Sequence, residues 1–256
     1  MIKGANMRRF TMLVIGVLTL GVLLVPSLAR ADFAGGVVTV SATAGDLTGS
    51  AQFAVPAFSG DAAIPLVADP VEIKSDDGTV LGVVKQLDLA VAGDPAVDLA
   101  FNVVAGGVPT AFGIVSVWVP APVPIGWGYA SAGVTLTDLD NNGAVIVPIL
   151  AAHPKLYQAA YTAPLTTFAD LVGGFVAGVG QTAVSNDRKP PGVGWLPVAG
   201  VVSIASRFDF VLSANDSASG TSHFEVTQVP LPAAAFSGLA LLGVIAGYRA
   251  RRLFKA

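Results

Sequence analysis

The chain has 256 residues, no cysteine and only two histidines. That excludes disulfides, thiol nucleophiles, Cys-based zinc sites and iron–sulfur clusters, and leaves too few ligands for a histidine-rich metal site. The formal charge of −3 conceals a segregation: residues 32–228 carry six basic residues and all 17 acidic ones, a net of −11, between basic ends. An acidic body of this kind repels phosphate backbones and argues against nucleic acid as a partner.

In chain order, Lys3, Arg8 and Arg9 precede an apolar run from Phe10 to Val25, and Ala29 and Ala31 then stand at A-x-A positions. This is the pattern of a secretory signal peptide over residues 1–31, cleaved by signal peptidase before Asp32. The pattern is compatible with a start at Met1 or at Met7, since Met7 still precedes Arg8-Arg9.

Residues 32–228 read as strands. "GVVTVSAT", "SAQFAV", "VDLAFNVVA", "AFGIVSVWV", "VVSIASRFDFVLSA" and "TSHFEVTQV" are Val-rich and alternate, with turn residues between them. Asp76-Asp77-Gly78 and Asn141-Asn142-Gly143 read as hairpin turns, because Asp-Gly and Asn-Gly accept positive φ. From Asp98 to Asp138 no charge intervenes, yet Pro109, Pro120, Pro122 and Pro124 break the run. The expectation there is two buried strands joined by an extended "VPAPVPIG".

Residues 151–195 depart from this pattern. Leu165, Phe168, Leu171, Val172 and Phe175 follow Pro164 at helical spacing, which predicts an insertion with one short helix.

Candidate chemistry is sparse. Asp138, Asp140 and Asn142, followed by Gly143, match the opening of a calcium loop, where short oxygen side chains converge on the ion. The twelfth position is Ile149 where a bidentate Glu belongs, and "AVIVPI" reads as a return strand. The expectation is an Asn-Gly hairpin with weak calcium binding at most. His153 has no acidic or serine neighbour at motif spacing, and His223 reads as a cross-strand residue. No G-x-S-x-G, H-E-x-x-H, P-loop or G-x-G-x-x-G occurs, so the chain is not expected to be an enzyme. A glycoside hydrolase is the enzymatic alternative, because its paired carboxylates need only spatial proximity. Trp118, Trp127, Trp195, Tyr129, Tyr157 and Tyr161 are candidates to stack on sugar rings or to fill the core.

The C-terminal segment is the most informative. Val229-Pro230-Leu231-Pro232-Ala233 is followed by an uncharged run to Tyr248 and then by Arg249, Arg251, Arg252 and Lys255. As a helix, residues 233–248 would span about 24 Å, enough with flanking residues to hold a chain in a bilayer. The basic cluster would stop transfer on the cytoplasmic side.

With the signal peptide, this order resembles the VPLPA variant of the PEP-CTERM sorting tail. "GDPAVDLAFNVVAG", "ASAGVTLTDLDNNG" and "FVLSANDSASGTSHFEV" in the body also look similar to members of that group. The resemblance implies export in a Gram-negative bacterium and anchoring in the inner membrane. An exosortase would then process the chain for delivery to the cell surface or exopolysaccharide matrix.

The fold expected is all-β, an antiparallel jelly-roll-like β-sandwich over residues 32–228 with the helical insertion. A signal-peptide helix and a transmembrane helix flank it. The function expected is that of a non-catalytic surface or matrix protein. Its alternatives are a carbohydrate-binding module, with or without calcium, and an exported hydrolase. No other cofactor is implied.

Overall fold

The computed structural model describes residues 32–93, 95–149, 154–162, 166–192, 194–229 and 241–243. By its contacts the chain divides into Arg30–Gln228 and a second unit of Met1–Ala29 with Val229–Ala256. The expected signal-peptide helix lies outside the described residues, as does the tail helix except for 241–243, which are helical. Among the described residues no helix is long and apolar enough to cross a membrane.

The first unit is all-β, and every strand pairing is antiparallel. The first strands are β1 (Asp32–Phe33), β2 (Gly36–Ala44), β3 (Leu47–Val55), β4 (Phe58–Ser59), β5 (Ala62–Pro65) and β6 (Val71–Lys74). The middle holds β7 (Val80–Ala92), β8 (Ala96–Ala105), β9 (Thr110–Val115), β10 (Val119–Thr137) and β11 (Ala144–Pro148). The last are β12 (Tyr157–Thr162), β13 (Thr166–Leu171), β14 (Phe175–Ala177), β15 (Thr182–Lys189), β16 (Leu196–Leu212) and β17 (Ser217–Gln228).

One leaf of the sheet runs β3-β2-β9-β16, with β12 and β13 beyond β16. The other runs β5-β7-β8-β17-β10-β15. The first part of β10 pairs with the first part of β16, from Val119↔Ile204 to Gly128↔Leu196, so the two leaves are one continuous sheet. At the far side the edges meet again at the isolated bridge Gly49↔Ser75, and the sheet nearly closes into a barrel. Gly49 suits this approach, because a Cβ there would collide with the backbone of Lys74.

The leaves face each other through alternating residues. β8 alternates buried and half-buried positions from Val97 to Val103, with Val97, Leu99, Phe101 and Val103 turned inward. Phe101 of β8 meets Phe208 and Phe210 of β16 at ring-centroid distances of 4.8 and 5.7 Å. Phe168 of β13 stacks on Phe224 of β17 at 5.2 Å. Such pairs add roughly 0.5–1.5 kcal/mol beyond their buried area. With no cysteine in the chain, this apolar interior carries the stability.

Three expectations need correction. The helix expected after Pro164 is replaced by strand β13, and the span 151–195 contains β12 to β15 rather than a helical insertion. The cause is a bulge: Ala159 pairs with Ala169 but Ala160 with Thr167, which leaves Phe168 as the extra residue. Phe168 and Ala169 both turn inward, so Phe168 and Leu171 stand three apart, the spacing a helix would also give.

The "VPAPVPIG" segment is not a connection but part of β10. Between Val119 and Ile125 this strand pairs only with β16, and on such an edge prolines without an N–H are tolerated.

Asn141-Asn142-Gly143 is a turn, with φ of 62° at Asn141 and 92° at Gly143, but not a hairpin. β11 pairs with β14 and β16 instead of β10, so the turn carries the chain from one leaf to the other. The Asp76-Asp77-Gly78 hairpin does form, between β6 and β7, with Gly78 at φ 87° and the Asp77 carboxylate accepting from the Thr79 amide.

Phe208 is fully buried at the centre of the ring cluster. Phe208→Ala should therefore lower the unfolding free energy by about 3–5 kcal/mol in chemical denaturation. A loss below about 1 kcal/mol would mean that the leaves do not pack on these rings.

Candidate functional site

The outer face of the leaf β5-β7-β8-β17-β10-β15 carries an open groove of about 900 Å³ that crosses all six strands. Two cross-strand rows build it. One runs Ala90↔Asp98↔His223↔Ser131↔Arg188, and the next Asp88↔Ala100↔Thr221↔Gly133↔Asn186. Small residues (Ala100, Ser131 and Thr221) hold the floor low between the edge strands β5 and β15, and the Asn186 side chain lies over Gly133. Alternation on strands dictates this: the same strands turn Leu99, Ala132 and Phe224 inward.

His223 lies between two carboxylates. Its Nδ1 is 2.5 Å from Asp98 Oδ1 and its Nε2 is 3.2 Å from Glu225 Oε2. The bond to Asp98 is the main cause that holds the imidazolium above the usual histidine range. Glu225 supports it, while partial burial opposes it.

Both ring nitrogens of His223 are therefore engaged by carboxylates, and the imidazole lies between Asp98 and Glu225.

Aromatic rings flank the groove along one side, where Tyr129 pairs with Glu225 in the next cross-strand row. Tyr129 lies 6.0 Å from His223 and 5.8 Å from Trp195, centroid to centroid. Trp195 is 39% exposed, and Trp127, two residues before Tyr129 on the same face of β10, is 41% exposed. Trp118 is exposed as well, whereas Tyr157 is a core residue and no stacking platform. The Tyr157 hydroxyl lies 3.0 Å from Ser206 Oγ, and burial pushes its phenol above the ordinary range.

The calcium candidates lie elsewhere, at the crossing turn. Asp138, Asp140 and a residue the motif did not include, Asp216, bring carboxylate oxygens within 4.8 Å of one another. Asp138 is buried and caps the turn. Its carboxylate accepts from the amides of Asn141 and Gly143 at 3.0 Å and of Gly180 at 2.6 Å. The bond from Gly180 foremost, and after it that from Gly143, hold its carboxyl below the usual range against the opposing effect of burial.

The Asn142 side-chain amide donates to Asp140 Oδ2 at 2.8 Å. Asp216 accepts from Ser213 Oγ and from the Leu139 amide. Burial and then the charges of Asp140 and Asp138 push its carboxyl up. The cluster thus has a structural use already, since backbone and side-chain donors around the turn bond to these carboxylates.

Of the tail, Val229 follows β17 directly, and Pro230, Leu231, Pro232 and Ala233 lie outside the described residues. The same holds for Ala29, Ala31, His153, Arg249, Arg251 and Arg252. No family model matches the chain, and no curated protein matches it.

Asp216 folds with a raised carboxyl pKa, so its charge opposes folding at neutral pH and this cost fades as pH falls into the carboxylate range. Asp216→Asn should leave the unfolding midpoint at pH 7 unchanged or higher, and that difference should shrink near pH ~4. Titration calorimetry should find no tight calcium site. A tight one abolished by Asp140→Ala would show the cluster to be a metal centre. His223, assigned in NMR through His223→Gln, should titrate above ~6.5 and fall on Asp98→Asn.

Proposed function

We propose that the chain is an exported surface or matrix protein without catalytic activity, sorted by a PEP-CTERM-like tail of the VPLPA type. The observation that carries this reading is the order at the C-terminal end. The Pro-bounded motif starts at Val229, where β17 has just ended at Gln228, and an uncharged run and three arginines follow. Signal peptidase would act after Ala31 and an exosortase at the motif. The chain would be held in the inner membrane before release to the cell surface or exopolysaccharide layer of a Gram-negative bacterium.

The exported body, with its net charge of −11, is read as a jelly-roll-like sandwich whose role is to occupy and bind rather than to transform. A second reading, a carbohydrate-binding module, is favoured by the groove that crosses six strands next to exposed aromatic rings. In that second reading calcium at the Asp138, Asp140 and Asp216 cluster would assist binding. The hydrolase reading is the weakest, because neither G-x-S-x-G nor H-E-x-x-H occurs in the sequence.

The test is the size and location of the protein in a host with and without its exosortase. The wild type should be shortened and released only where the enzyme is present. Replacing Pro230 and Pro232 with Ala should leave it membrane-held and unprocessed in both. Gly243→Asp should cost about 3 kcal/mol of membrane insertion and release the chain early. Identical processing of the wild type in both hosts would reduce the tail to a simple anchor.

A further inference from the structure

We propose that the groove across β5-β7-β8-β17-β10-β15 binds a neutral polysaccharide chain laid across the strands, and this rests on the carbohydrate-binding reading above.

Length comes first. Six strands at a spacing of ~4.8 Å give a track of roughly 24 Å, which suits several sugar rings in a row rather than one. The low floor at Ala100 and Thr221 admits a ring lying flat, while Arg188 and Asn186, whose side chain lies over Gly133, at one side and Asp98 and His223 near the middle supply fixed polar groups. Sugar hydroxyls donate and accept at once, and these side chains offer both: Arg188 donates, Asp98 accepts, Asn186 does either. The Asp98–His223–Glu225 chain of bonds fixes rotamers in advance, which lowers the entropy lost on binding. Tyr129 and Trp195 flank the track in the next row and offer apolar ring faces along its side.

The alternatives fit less well. An extended peptide would need free main-chain donors and acceptors, but the central strands of this leaf spend theirs on each other. A polyuronate would meet Asp88, Asp98, Asp187 and Glu225 against Arg188 and His223, on a body of net charge −11. Repulsion therefore selects a glycan without carboxylates or sulfates.

The experiment uses the full chain in a detergent without a sugar headgroup. The probes are neutral hexasaccharides of gluco, manno and galacto configuration, the matching disaccharides, a hexauronate and a Ser/Gly/Asn decapeptide. At least one neutral hexasaccharide should bind, its disaccharide about tenfold or more weaker. Arg188→Ala should weaken binding at least about tenfold, the loss of one charge-assisted bond. Ala100→Trp, which fills the floor, should abolish it, and neither variant should move the unfolding midpoint materially. If Ala100→Trp fails to fold, Tyr129→Ala replaces it and should weaken binding several-fold.

Binding to none of the neutral hexasaccharides overturns the proposal. So does binding that survives the substitutions, or a preference for the hexauronate or the peptide. A wild type that is processed by exosortase yet blind to every glycan would remove the groove's assignment and leave the sorting reading intact.

Discussion

The pairing of Val119–Gly128 in β10 with Leu196–Ile204 in β16 is the contact on which the rest of the molecule depends. Both strands are long enough to serve two leaves, 19 and 17 residues. Beyond this shared stretch β16 continues beside β9 and β12, and β10 continues between β17 and β15. A sheet that turns a corner in this way faces itself, and its two inner surfaces bury each other. Without that corner, Phe101 would have no Phe208 to meet, and no disulfide exists to hold the leaves together.

The same alternation that fills the interior sets the chemistry outside. Each inward Leu or Phe of β7, β8, β10 and β17 obliges its neighbours to face solvent, so polar residues on successive strands fall into rows. Rows on a flat sheet would make only a polar surface. Here small residues at the centre and edge strands at either side turn two rows into a groove. Asp138 plays a different part: it lies where the chain leaves one leaf for the other, and its carboxylate replaces the backbone partners that Asn141, Gly143 and Gly180 lack. A motif that reads as metal-binding is thereby used to close a turn.

Periodicity alone was enough for the strand character of most of the body. Residues 36–44, 96–105 and 217–228 alternate over enough positions for burial on one face to be the simplest outcome. It failed at residues 164–175 for a definite reason. A bulge at Phe168 shifts the inward positions by one, and a strand with such a shift mimics the three-residue step of a helix. The Asn-Gly turn was legible as a turn but not as a crossing, because turn chemistry fixes φ and not which strand comes next.

The sequence by itself determined what is local or additive: strand periodicity, charge segregation, the absence of thiol chemistry, and the ordered motif, apolar run and arginines of the tail. Only the tertiary structure decided which residues become neighbours across long separations. His223 and Glu225 are two apart and visibly share a face, but Asp98 reaches His223 across 125 positions of chain through the β8–β17 register. Asp216 joins Asp138 and Asp140 in the same way, through a loop between β16 and β17. Register is a property of two strands and of the sheet that holds them, and neither strand's sequence contains it.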